Sequence, residues 1–136
     1  MCLEGASRAG AGLLESIRDD DLRAFYAWVP MLPPDDLPAA KRAAARFAEP
    51  RAAHYWDHEP ALSRRMGQAL RIGPGESIPA GDGAGYAWDV YLAYGPAAKE
   101  LERPDFWMHQ LGTKHAPELD ANEWMRQVEA FIGTDP

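Results

Sequence analysis

Apolar positions along the chain switch between helical and strand spacing, and the switches mark out the elements. Leu13, Leu14 and Ile17 recur at helical spacing, with Ala6 and Ala9 toward the same side. They predict a helix from Cys2 to about Arg18. Asp19, Asp20 and Asp21 stop it, because acidic side chains oppose the dipole at a helix C-terminus. Leu22 to Val29 is a short apolar and aromatic run between Asp21 and Pro30, which predicts a buried strand. Pro30, Pro33, Pro34 and Pro38 then stiffen a loop. Pro38 suits a first helical position, with Asp36 or Leu37 near the cap. Ala39 to Ala48 predicts an alanine-rich helix with Lys41, Arg42 and Arg46 on its wet side, ended by Pro50.

Ala53 to Trp56 predicts a short strand, and Glu59-Pro60 opens a helix to about Leu70. Glycine and proline make residues 72–86 a loop. Trp88 to Tyr94 and Phe106 to Leu111 predict two strands joined as an antiparallel hairpin with a long loop. Asp120 to Glu123 opens a last helix, on which Trp124, Val128, Phe131 and Ile132 share a face. Strand–helix–strand units predict parallel pairs with right-handed crossovers. The expected class is α/β, one domain over residues 1–136, with a small mixed sheet flanked by helices.

Charge and cysteine content narrow the partners. Fourteen basic residues against 21 acidic ones give a net charge of −7, without any basic block. Duplex nucleic acid and anionic membranes are therefore poor partners. No apolar run reaches the ~18 residues of a spanning helix, and one cysteine excludes a disulfide scaffold. Met1 to Gly5 shows no signal-peptide pattern, so the chain reads as cytoplasmic as written.

The element order, with Cys2 at the start of the first helix, resembles the thioredoxin-like superfamily over nearly the whole chain. The inserted strand and helix at residues 53–71 look more like its peroxiredoxin-like and thiol-disulfide-reductase branches. That resemblance implies a strand ahead of the first helix and a second motif thiol two residues before Met1. The chain carries neither. The expectation is a chain shortened at its N-terminus, by a misplaced start codon, a partial gene or a selenocysteine codon read as a stop. A lost leader would make the compartment periplasmic or extracellular. The family also places a cis-proline just before the strand that faces the thiols. The matching stretch, Gly85 to Asp89, has no proline.

The resemblance makes Cys2 the candidate catalytic residue. A thiol at a helix N-terminus is shifted toward the thiolate, the nucleophilic form. Alone it forms mixed disulfides but performs no dithiol exchange within the chain. Trp28, Pro30, Trp56, Trp88 and Asp89 are candidate substrate-binding residues, because ligands of open α/β sheets sit beyond the carboxyl ends of strands. For the tryptophans the competing role is a core built of large rings, whose indole N–H groups need partners when buried. For Asp89 it is a paired buried carboxylate. His54, Asp57 and His58 are the nearest thing to a metal cluster, but they span a strand end and a turn rather than one helix face. Gly81 to Gly85 precedes a strand and lacks a phosphate-binding lysine.

The expected function is thiol-disulfide exchange on a thiol or disulfide partner, protein or small molecule, with no cofactor and no metal. The alternatives are a redox-inactive binding module of the same fold and, third, a metal-handling protein with a single cysteine.

Overall fold

A computed structural model describes residues 3–73, 76 and 85–132. Cys2 and Gly81 to Ala84 lie outside the described residues. The N-terminal helix starts as α1 (Leu3–Ala6), widens into a π-helical turn (Ser7–Ala11) and closes as α2 (Gly12–Ser16). Ala6 and Ala11 keep helical backbone angles, so the three pieces run on without a break. The π turn carries the five-residue bond from the Gly12 N–H to the Ser7 carbonyl. Arg51 caps the far end, donating to the carbonyls of Leu14, Ile17 and Asp19 while it pairs with Glu49 at 2.9 Å. These are carbonyls that a helix terminus otherwise leaves to water.

The remaining elements follow the predicted order. They are β1 (Ala24–Trp28), α3 (Leu37–Arg46), β2 (Ala52–Trp56), α4 (Ala61–Ala69), β3 (Val90–Ala93), β4 (Phe106–His109) and α5 (Ala121–Ile132). Local chemistry sets their ends. Asp36 caps α3 through a 2.7 Å bond from the Ala39 N–H, and Pro38 falls in the first turn. Asp57 accepts from the Ala61 and Ser63 N–H groups at the start of α4. Asp120 accepts from the Glu123 N–H at the start of α5.

The strands form two separate two-stranded sheets among the described residues, where the sequence predicts one mixed sheet. β1 and β2 are parallel, in the register Ala24↔Ala52 to Trp28↔Trp56. β3 and β4 are antiparallel, in the register Val90↔His109 to Ala93↔Phe106. Both pairings and both directions are the predicted ones. The single sheet is not formed because nothing described pairs β1 with β3.

The hydrogen bonds show which way the backbone groups of each edge point. Ala24 donates to Arg51, and Asp57 donates to Trp28. The even-numbered backbone groups of β1 therefore face β2, and those of Phe25 and Ala27 face the opposite edge. Gln110 donates to the Asp89 carbonyl, so the backbone groups of Val90 and Leu92 point away from β4. The outer edge of β4 is closed instead by residues 117–119, through His109 to Pro117 and Leu119 to His109.

One helix joins the two sheets. The N-terminal helix brings Ala9, Leu13 and Ile17 onto Ala93, Met108, Trp124 and Val128. Its other flank, Leu3, Ala6 and Ala11, packs on Trp28, Ala40, Ala43 and Phe47. Gly5 lies against the Tyr91 ring of β3 and Gly10 against the Tyr26 ring of β1. α4 covers the other face of β3–β4, with Met66, Leu70 and Ile72 against Val90, Leu92 and Trp107. The corresponding face of β1–β2 has no helix packed on it among the described residues. Phe25 is 69% exposed and Tyr55 55% exposed, their rings stacked 6.4 Å apart. Parallel strands are normally covered on both faces.

Candidate functional site

The carboxyl end of β1 and the start of β3 bring the predicted site residues into two groups. The first group is aromatic. Trp28 and Trp56 are register partners on the covered face of β1–β2. Trp28 is buried, and its indole N–H donates to Nδ1 of His54 at 3.2 Å. The Tyr26, Trp28, Phe47 and His54 rings stack at centroid distances of 4.7 to 6.2 Å. Trp28 thus takes the core role, and Trp56 packs half-buried on the same cluster. Pro30, half-buried, lies two residues past Trp28 at the start of the loop to α3.

The second group is Trp88 and Asp89, both half-buried. Asp89 has a positive φ of 56°, a left-handed conformation that aspartate tolerates better than most side chains. Its carbonyl is held by the Gln110 N–H at 2.8 Å. Burial pushes the Asp89 carboxyl above the usual range, and the negative charge of Asp35 pushes it the same way. Asp35 comes from the loop after β1, is buried, and accepts from the Leu32 N–H at 2.9 Å. The negative charge of Asp35, from the loop after β1, is thus felt at Asp89, at the start of β3.

Asp35 is the residue that sequence reasoning missed. Its signal was an acid in a proline-rich loop that buries its side chain to bond its own backbone. His109 is the other. It is buried, and its Nδ1 accepts from the Leu111 N–H at 3.1 Å. Burial pushes its pKa down, opposed by a bond to the Trp88 carbonyl. The ring thus anchors the backbone that presents Asp89.

The histidine cluster is occupied by structural bonds. Trp28 donates to His54 Nδ1, so Nε2 carries the proton and faces the Phe47 carbonyl at 3.3 Å. Both Asp57 oxygens cap α4. Among the described residues no group of three or more His, Cys, Asp or Glu side chains could hold a metal ion. No helix is long and apolar enough to cross a membrane, among the residues described.

Two clefts flank these groups. One, of about 470 Å³, opens between the start of α1 and the face of α3. Its lining includes Leu3, Asp35, Arg42 and Arg46. The other, of about 670 Å³, lies beside residues 111–118 and Glu76. Backbone N–H groups of Lys114 and Gly73 bond the Glu76 carboxylate and hold its pKa below the usual range. The sequence matches no protein-family model, no curated protein and no solved structure.

Proposed function

We propose a thioredoxin-like thiol-disulfide oxidoreductase whose central strand, with its second motif thiol, is not among these 136 residues. The observation that supports this reading is a pair of outward-pointing sheet edges. The backbone groups of Phe25 and Ala27 point away from β2 and those of Val90 and Leu92 point away from β4, and among the described residues no strand pairs with either edge. The N-terminal helix packs on both sheets, through Tyr26 and Tyr91. One strand parallel to β1 and antiparallel to β3 would satisfy both edges and merge the sheets. Its carboxyl end would lead into the helix that follows Cys2.

In that arrangement Cys2 is the catalytic thiol. A disulfide partner would dock at the strand ends, on Pro30, Trp88 and Asp89. Exchange needs no cofactor: the thiolate of the motif's other cysteine attacks one sulfur of the partner's disulfide, a mixed disulfide forms, and the partner's other sulfur leaves as a thiolate. The Cys2 thiolate then attacks the motif sulfur of the mixed disulfide, closing the motif disulfide and releasing the partner's second sulfur as a thiolate.

A second reading is a redox-inactive binding module of the same fold. Asp89 and its positive φ favour it, because the turn into β3 is built without the proline that shapes a thioredoxin-like groove.

Intact mass of the protein from its native host tests both readings. A mass above 15.0 kDa by a strand or more, with disulfide reduction that Cys2→Ser abolishes, is the expected result. A native mass matching residues 1–136, with no disulfide exchange, would overturn the oxidoreductase and leave the binding module.

A further inference from the structure

The cleft between the start of α1 and α3 has a chemistry of its own. Leu3, Leu32, Ala39 and Ala43 give it an apolar floor. Arg42 and Arg46 stand one helical turn apart on its rim, a spacing that puts both guanidinium groups on the same side of the helix. Asp35 lines the cleft as well, with an oxygen bonded to the Leu32 N–H.

The two arginines carry the chain's minority charge. The chain carries 21 acidic side chains against 14 basic ones. Arg8, Arg51, Arg65, Arg103 and Arg126 each have a carboxylate partner. No ion pair of Arg42 or Arg46 is found among the described residues. The Arg46 guanidinium carbon lies 5.6 Å from the centroid of the Phe47 ring, a cation–π distance. An acidic protein therefore holds two cations beside an apolar hollow. The hollow's size falls in the range of small-molecule sites, roughly 300 to 1,000 Å³.

We propose that this cleft binds a small organic anion. Its carboxylate or phosphate head would sit on Arg42 and Arg46, and its apolar body over Leu3, Leu32 and Ala43. Guanidinium forks match both head groups in two-point geometry. This site goes beyond the thiol reading and stands without it.

The test uses hexanoate and hexyl phosphate as probes and hexylamine as the control, followed by amide NMR shifts. Saturable shifts at Leu3, Leu32, Ala39 and Ala43 with at least one anion, and none with hexylamine, are expected. Comparing the two anions tells which head group the site prefers. Arg42→Glu and Arg46→Glu should each weaken binding by roughly tenfold or more. Arg126→Glu, which breaks an unrelated ion pair, should leave it unchanged. Arg42→Gln keeps the side-chain bulk and should also weaken binding if a charge-reversed variant fails to fold. Equal binding of hexylamine, unchanged affinity in the arginine variants, or no saturation by either anion up to about 10 mM would overturn the proposal.

Discussion

The indole N–H of Trp124 donates to the carbonyl of Ala9 at 2.8 Å, closing a loop of 115 residues inside the core. Ala9 belongs to the π-helical turn, and Trp124 also packs on Tyr91 and Phe106. One side chain thus ties the N-terminal helix to α5 and to the β3–β4 sheet. Trp124→Phe keeps a ring but leaves the Ala9 carbonyl buried without this donor. It should cost about 1 to 3 kcal/mol, and Trp124→Ala about 3 to 5 kcal/mol. Urea unfolding of the two variants checks both values and their order.

Glycines at close contacts should not be equivalent. A Cβ on Gly5 would meet the hydroxyl end of Tyr91, which can swing away. A Cβ on Gly67 would meet the Gly85 carbonyl, which is backbone. Helix propensity alone favours alanine in α4 by about 1 kcal/mol. Gly67→Ala should nevertheless destabilise, by about 1 to 3 kcal/mol net, because the added methyl meets backbone rather than the end of a side chain. Gly5→Ala should cost less. Thermal unfolding of the pair decides it, and equal losses would contradict the packing described.

Asp89 should make the fold more stable in acid than its surface carboxylates do. Its pKa is raised in the fold, so its contribution is complete below the unfolded value near 3.8 and is lost as pH rises through the folded value. At pH 7 the ionised group is a burden, worsened by Asp35. Asp89→Asn should therefore stabilise the protein at neutral pH, with the gain disappearing below about pH 4. Asparagine also tolerates the left-handed backbone. Asp35→Asn should lower the Asp89 pKa, which carboxyl-carbon NMR titration reads directly.

His109 acts in the opposite direction. Its pKa is lowered, chiefly by burial, so the stability it carries is present above the unfolded value near 6.5. That stability is lost as pH falls through the folded value. Protonation at Nδ1 would also remove the acceptor of the Leu111 N–H. Denaturation midpoints from pH 7.5 down to about 5 should fall in the parent and stay flatter in His109→Gln.

Much of this architecture was legible in the chain because its strong signals are local. Asp36, Asp57 and Asp120 sit where helices start, and Pro30 and Pro50 sit where elements stop. The antiparallel β3–β4 pair and the parallel β1–β2 pair follow from connection length and the intervening helix. What was not legible depends on distance through space. Trp28 has the same local pattern whether it lines a groove or stacks under Phe47; only the fold puts Phe47 and His54 over it. Asp35 reads as one acid in a wet loop until its side chain turns inward. The split into two sheets is invisible locally, since each strand pattern is satisfied by any partner.

The π-helical turn at Ser7–Ala11 sets the angular phase of the whole N-terminus. Such a turn holds one residue more than the α-turn it replaces, and each α-helical residue advances about 100° around the axis. Leu13, Leu14 and Ile17 are fixed by the core beyond it, so Leu3 and Gly5 point where they do only because of the surplus residue. Deleting one residue there would leave the lower half in place. It would rotate Gly5 off Tyr91 and Leu3 out of the α3 cleft together. A single helix serves two sheets because it is not in step with itself.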